Sequence, residues 1–175
     1  MQRLAFHLFG RNMAGVARSR VYPAIIAVLL FIIAAMAYKF IIAGSTQKAE
    51  DGRIAILLEP GERDLVLKEM RTFVESLQQI SDALSRDDMK GVAKAARVMG
   101  MARSQDVPLA MMGKLPLEFK KLAFSVHGGF DAIANDAETI GTTKHTLGQL
   151  SEVLQKCVAC HNGYQLKAST SGTAN

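Results

Sequence analysis

Residues 64–85 read DLVLKEMRTFVESLQQISDALS. The apolar side chains that matter stand at Val66, Met70, Phe73, Leu77, Ile80 and Leu84, in steps of four and three. That spacing gathers them into one stripe on a helix of about six turns. A stripe this long has to be covered, and the chain downstream offers three more amphipathic helices to cover it. Asp87-Asp88 open the second, with Met89, Val92, Ala93, Ala96 and Met99 inward and the pattern fading over residues 100–105. Val107 to Leu115 contains Pro108 and Gly113 and reads as a connection. Pro116 suits the first turn of a third helix, whose stripe is Phe119, Leu122, Ala123, Val126, Phe130, Ile133, Ala134 and Ala137. Gly141-Thr142-Thr143 breaks the chain and supplies a cap for a fourth, with Leu147, Leu150, Val153, Leu154, Cys157 and Tyr164 inward. The expectation is an all-α fold: an antiparallel four-helix bundle over residues 61–168.

Composition agrees. Of 175 residues 49% are hydrophobic, which excludes a wholly disordered chain. Alternating β-branched runs are scarce, which argues against a sandwich or barrel. Two cysteines are too few for a disulfide-dense scaffold. The formal charge of +5 would suit a nucleic-acid binder, but it is unevenly placed. Residues 1–49 hold six basic residues and no acid, while the remainder holds 15 basic and 16 acidic ones. The body of the protein is nearly neutral, so no nucleic-acid partner is expected.

The basic end belongs to a membrane anchor. Val21 to Tyr38, VYPAIIAVLLFIIAAMAY, is 18 residues without a charge. A helix of that length spans roughly 27 Å, close to a hydrocarbon core of about 30 Å. The apolar character resumes after Lys39, so the transmembrane helix is placed at 21–43. Arg11, Arg18 and Arg20 precede it and hold residues 1–20 in the cytoplasm. The competing reading is a signal peptide cleaved near Ala35-Met36-Ala37, but the run exceeds the usual 7 to 15 residues of such a segment. Residues 44–60 read as a tether, GSTQKAEDGR followed by the short apolar IAILL, and residues 169–175 as a disordered tail. The chain is thus expected to cross a bacterial inner membrane once and present residues 61–168 to the periplasm.

Chemistry is concentrated in the fourth helix. Both cysteines fall in Cys157-Val158-Ala159-Cys160-His161. C-x-x-C-H is the pattern of covalent haem attachment. Two thiols one helical turn apart can each add to a vinyl group on one porphyrin edge, and the adjacent imidazole can reach the iron. Three other readings compete. A structural zinc site needs four ligands, and only His127 and His145 remain to complete one. A thioredoxin-like C-x-x-C belongs beside a βαβ unit, and none is evident. A disulfide within one helical turn would be strained. No paired carboxylates, nucleophile–base signature or phosphate loop stands at a recognisable spacing, so the chain does not read as an enzyme.

A C-x-x-C-H near the C-terminus, followed by Tyr164, resembles class II cytochromes c, the cytochrome c′-like four-helix bundles. The resemblance spans about residues 60–167. It implies one covalent haem c, thioethers at Cys157 and Cys160, and His161 as the proximal iron ligand. Many members place Arg or Lys directly after the tyrosine. Here Gln165 stands there, with Lys167 two further on, which argues against five-coordinate gas binding. In methionine-ligated members the distal ligand comes from the first helix, which points to Met70. His127, one position beyond Val126, is the alternative and would give bis-histidine ligation. Met99, Met101, Met111 and Met112 read as packing, and His145 lies about four turns from Cys160, too far to meet the same iron.

The expected function is a membrane-tethered c-type cytochrome carrying single electrons. Its partners would be the lipid bilayer and membrane or periplasmic redox proteins, and a homodimer is compatible with this reading. Lys90, Lys94, Arg97 and Lys120-Lys121 form solvated faces able to dock an acidic partner. Gly128-Gly129 marks a close helix or haem approach. A cytochrome c′-like module binding NO or CO, or a fixed haem subunit of a larger respiratory complex, are the alternatives.

Overall fold

The computed structural model describes residues 6–169, with side chains from Val21 onward. Two compact units meet between Lys39 and Phe40. The first contains helix α1, Phe6–Ala37, and the boundary falls within the π-helical turn Tyr38–Ala43 that follows it. Val21–Ala43 is long and apolar enough to cross a membrane. Its side chains are open to the surroundings, Leu30 at 61% and Phe31 at 75% exposure. Of the basic N-terminal stretch, residues 1–5 and the side chains of Arg11, Arg18 and Arg20 lie outside the described residues.

The second unit is mostly helical, as the stripes predict. Helices α2 (Pro60–Leu84), α3 (Met89–Arg97), α5 (Leu117–Thr139) and α6 (Thr143–Gly163) carry it, with a short α4 (Leu109–Met112) between α3 and α5. Local chemistry sets the boundaries. Pro60 occupies the first position of α2, and the Glu62 carboxylate accepts from the Glu59 amide at 2.8 Å. Asp88 caps α3 by accepting from the Gly91 amide at 2.9 Å. Pro116 stands one residue ahead of α5, as its N-cap.

One core cluster joins the C-terminal half of α2 to α3, α5 and α6. Ile80, Val92, Met99, Phe130 and Ile133 are fully buried there. Each such side chain contributes about 1.5–3 kcal/mol relative to exposure. Ser76 is buried in the same region and donates to the Ala95 carbonyl. On α6 the predicted stripe holds only in part. Leu150 and Val153 are buried with Thr146, whereas Leu147 and Leu154 are exposed.

The all-α expectation is corrected by a three-stranded sheet. Strand β1 (Thr46–Lys48) pairs antiparallel with β2 (Ile54–Leu58), Gln47 opposite Ala55. Strand β3 (Tyr164–Ala168) pairs parallel with β2, Ile54 opposite Tyr164 and Leu58 opposite Ala168. Residues 44–60, read as a tether, are therefore part of the folded unit. Tyr164 opens a strand and does not continue the helix. Ala55, Ile56 and Leu58 of the central strand are buried. Gly44, at φ +66°, lies so near the 114–116 backbone that a Cβ would stand 2.5 Å from the Lys114 carbonyl oxygen. Ser169, counted with the tail, donates its amide to the Leu58 carbonyl at 2.7 Å, and residues 170–175 lie outside the described residues.

The two adjacent glycines of α5 differ. A Cβ on Gly129 would stand 2.6 Å from Cγ2 of buried Val153, while one on Gly128 would meet nothing within 4 Å. Gly129 lets α5 and α6 approach. Gly129→Ala should therefore cost about 1–3 kcal/mol by overpacking, read as a lower urea midpoint. Gly128→Ala should add about 0.5–1 kcal/mol of stability through helix propensity, read as a higher midpoint. Equal midpoints for the two variants would contradict this contact.

Candidate functional site

Cys157 and Cys160 lie one turn apart near the end of α6, with His161 next to Cys160. Spacing of i and i+3 puts the two thiols on one face. The helix ends at Gly163 and passes directly into β3. Arg53, just before β2, secures that junction. Its guanidinium donates to the carbonyls of His161 and Tyr164 at 3.3 and 3.4 Å, and to Gln165 Oε1 at 3.4 Å. The carbonyls at a helix C-terminus lack partners within the helix, and Arg53 supplies one for His161. A cation thus stands beside residue 165 although the sequence has an amide there.

The face carrying the thiols borders a cavity of about 510 Å³, within the range of sites that enclose small molecules. Its walls come from α2, the 103–115 segment, α5 and α6, and most lining side chains are apolar. Met70, Phe73 and Leu77 of the first stripe are only half-buried because they border this space. Cys157, Cys160, His161, Met70 and His127 all line it. Met111 and Met112 do too. Met99 is instead buried in the helical core.

Both cysteines are free and half-buried. Burial pushes both thiols above their ordinary pKa, and at Cys160 the neighbouring Cys157 adds to the effect. Redox-active and nucleophilic cysteines are shifted the other way, so the thioredoxin-like reading gains no support here. His161 is exposed at the cavity wall. His127 is buried, with Nδ1 2.7 Å from the Met99 carbonyl oxygen. The Phe73 ring lies against it, centroids 5.2 Å apart. His145 faces elsewhere, with Nε2 2.9 Å from Asp136 Oδ2. The two histidines needed for a zinc site are therefore not brought together. Among the described residues no three His, Cys, Asp or Glu side chains cluster as metal-ion ligands.

Three cationic side chains, Lys68, Arg103 and Lys120, also border the cavity. Arg103 pairs with Glu69 at 3.0 Å. Lys120 was expected on a solvated face, yet it is half-buried and donates to the Met112 carbonyl at 3.3 Å. Its neighbour Lys121 is exposed and pairs with Glu118, as the solvated-face reading predicts. No family model, curated protein or solved structure matches the chain.

The burial of His127 was not foreseen. The signal lay in the spacing of His127, Phe130 and Ala134, steps of three and four that continue the buried face of α5.

The residues present fit a haem. The space is apolar, two thiols one turn apart stand on its wall, an imidazole adjoins them, and the cations Lys68, Arg103 and Lys120 stand at its border.

Proposed function

We propose that this chain is a membrane-tethered c-type cytochrome, its residues 61–168 an antiparallel four-helix bundle around one covalent haem c. The observation that carries the reading is that both thiols and the imidazole of one C-x-x-C-H segment line one apolar cavity. When bound, haem c would supply an Fe(III)/Fe(II) couple able to exchange single electrons with redox partners. Cys157 and Cys160 would hold the group by thioethers, and the His161 imidazole would bind its iron from the same segment. Met70 and His127 are the candidates for a second protein ligand. Phe73, Val126 and Phe119 keep water from the pocket, which helps to set the potential. Lys68, Arg103 and Lys120 would receive the propionates. Val21–Ala43 serves as a single-pass anchor that holds the domain on the periplasmic side, where tethering raises its concentration near membrane redox partners.

Optical spectra of oxidised and reduced protein, with and without CO, test the electron-carrier reading. Low-spin signatures in both states and slow or absent CO binding are expected. A high-spin protein that binds CO rapidly would replace electron transfer by a gas-binding role.

A further inference from the structure

We infer that His127 Nε2, and not the Met70 sulfur, is the second axial ligand of the haem iron. The inference rests on the covalent haem reading and deepens it. A carbonyl oxygen can only accept, so the 2.7 Å contact between Nδ1 and the Met99 carbonyl places a proton on Nδ1. In the neutral ring Nε2 then carries the lone pair. Metal-ligating histidines show this arrangement, with the far nitrogen donating to a backbone carbonyl that fixes tautomer and ring orientation. Met99 is itself wholly buried, so the carbonyl stands on a part of the chain held by the core.

Nε2 has no partner among the described residues. His127 is 7% exposed overall and lines the cavity that Cys157, Cys160 and His161 also line. With Nδ1 engaged by the carbonyl, Nε2 is the ring nitrogen left with a lone pair to offer a ligand in that cavity. Its ring is held further by Phe73 at 5.2 Å. The backbone beneath it is fixed against the motif helix by Gly129 on Val153 and by Lys156 donating to the Ser125 carbonyl at 3.2 Å. Met70 reaches the same cavity from α2, but it is half-buried and its unbranched side chain has three rotatable bonds and no comparable anchor.

The test uses the full chain in detergent. Fe(III) protein is examined by electron paramagnetic resonance and near-infrared magnetic circular dichroism. A bis-imidazole signature without the sulfur-to-iron band is expected, and Met70→Ala should keep the low-spin spectrum. His127→Gly should become high-spin and CO-reactive, and added imidazole should restore the low-spin form. His127 also bonds the Met99 carbonyl, so that variant could fail to fold. The native spectrum and Met70→Ala decide the matter without it. A sulfur-to-iron band in the native protein, or loss of the low-spin form in Met70→Ala, overturns the inference while the cytochrome reading stands. A chain without covalent haem overturns both.

Discussion

A chain carrying Cys157→Ala and Cys160→Ala should lose every trace of haem that survives denaturation, while the native chain keeps its haem stain on a denaturing gel. The loss should be complete because these are the chain's two cysteines and thioether attachment has no other site. Alanine is the strongest helix former, so α6 should persist and the effect should be one of chemistry, not of folding. Each single variant retains one thiol and should hold haem by one thioether, with a weaker stain. An unstained native chain carrying one zinc per molecule would return the site to the metal-ion reading.

The second large effect concerns the membrane. The native chain should stay in the membrane fraction through a high-salt wash, and removal of residues 21–43 should move it almost wholly to the soluble fraction. High salt screens the arginines but leaves apolar burial intact. Val21–Ala43 comprises 23 residues, and insertion of such a helix is effectively irreversible. Protease added from the outer side should digest the domain after Glu50. Recovery of a soluble mature chain beginning near Tyr38 would identify the segment as a cleaved signal.

What the sequence revealed depends on range. The α2 stripe was readable because Val66, Met70, Phe73 and Leu77 lie within a few turns of each other, and helical periodicity is a local property. Asp88 was equally readable, since a cap acts within one turn. Strand pairing is not local. Ile54–Leu58 stood out as a short apolar run, but what makes it a central strand is Tyr164–Ala168, at the opposite end of the domain. Nothing between residues 55 and 60 announces that partner. The same holds for β1, whose polar Thr46-Gln47-Lys48 is edge-strand material and reads as linker until Gly52 is seen turning the chain at φ +87°. At the candidate site the thiols and His161 were legible because one helical turn carries them. The orientation of His127 was not, because the Met99 carbonyl that fixes it arrives from another part of the chain.

The pairing of β2 with β3 also sets an order of assembly. It joins residues some 110 positions apart, as does the hydrogen bond from Ser169 to Glu59. Closing so long a loop is slow compared with forming helical hairpins such as α5–α6, which need only near neighbours. Strand β3 should therefore dock last, after the helices have collapsed. Until it does, Arg53 has no grip on the end of α6, because the His161 and Tyr164 carbonyls and Gln165 that it holds are brought to it by that strand. Docking of the final strand then works as a clasp, fastening the helix that carries Cys157, Cys160 and His161 to the far end of the chain.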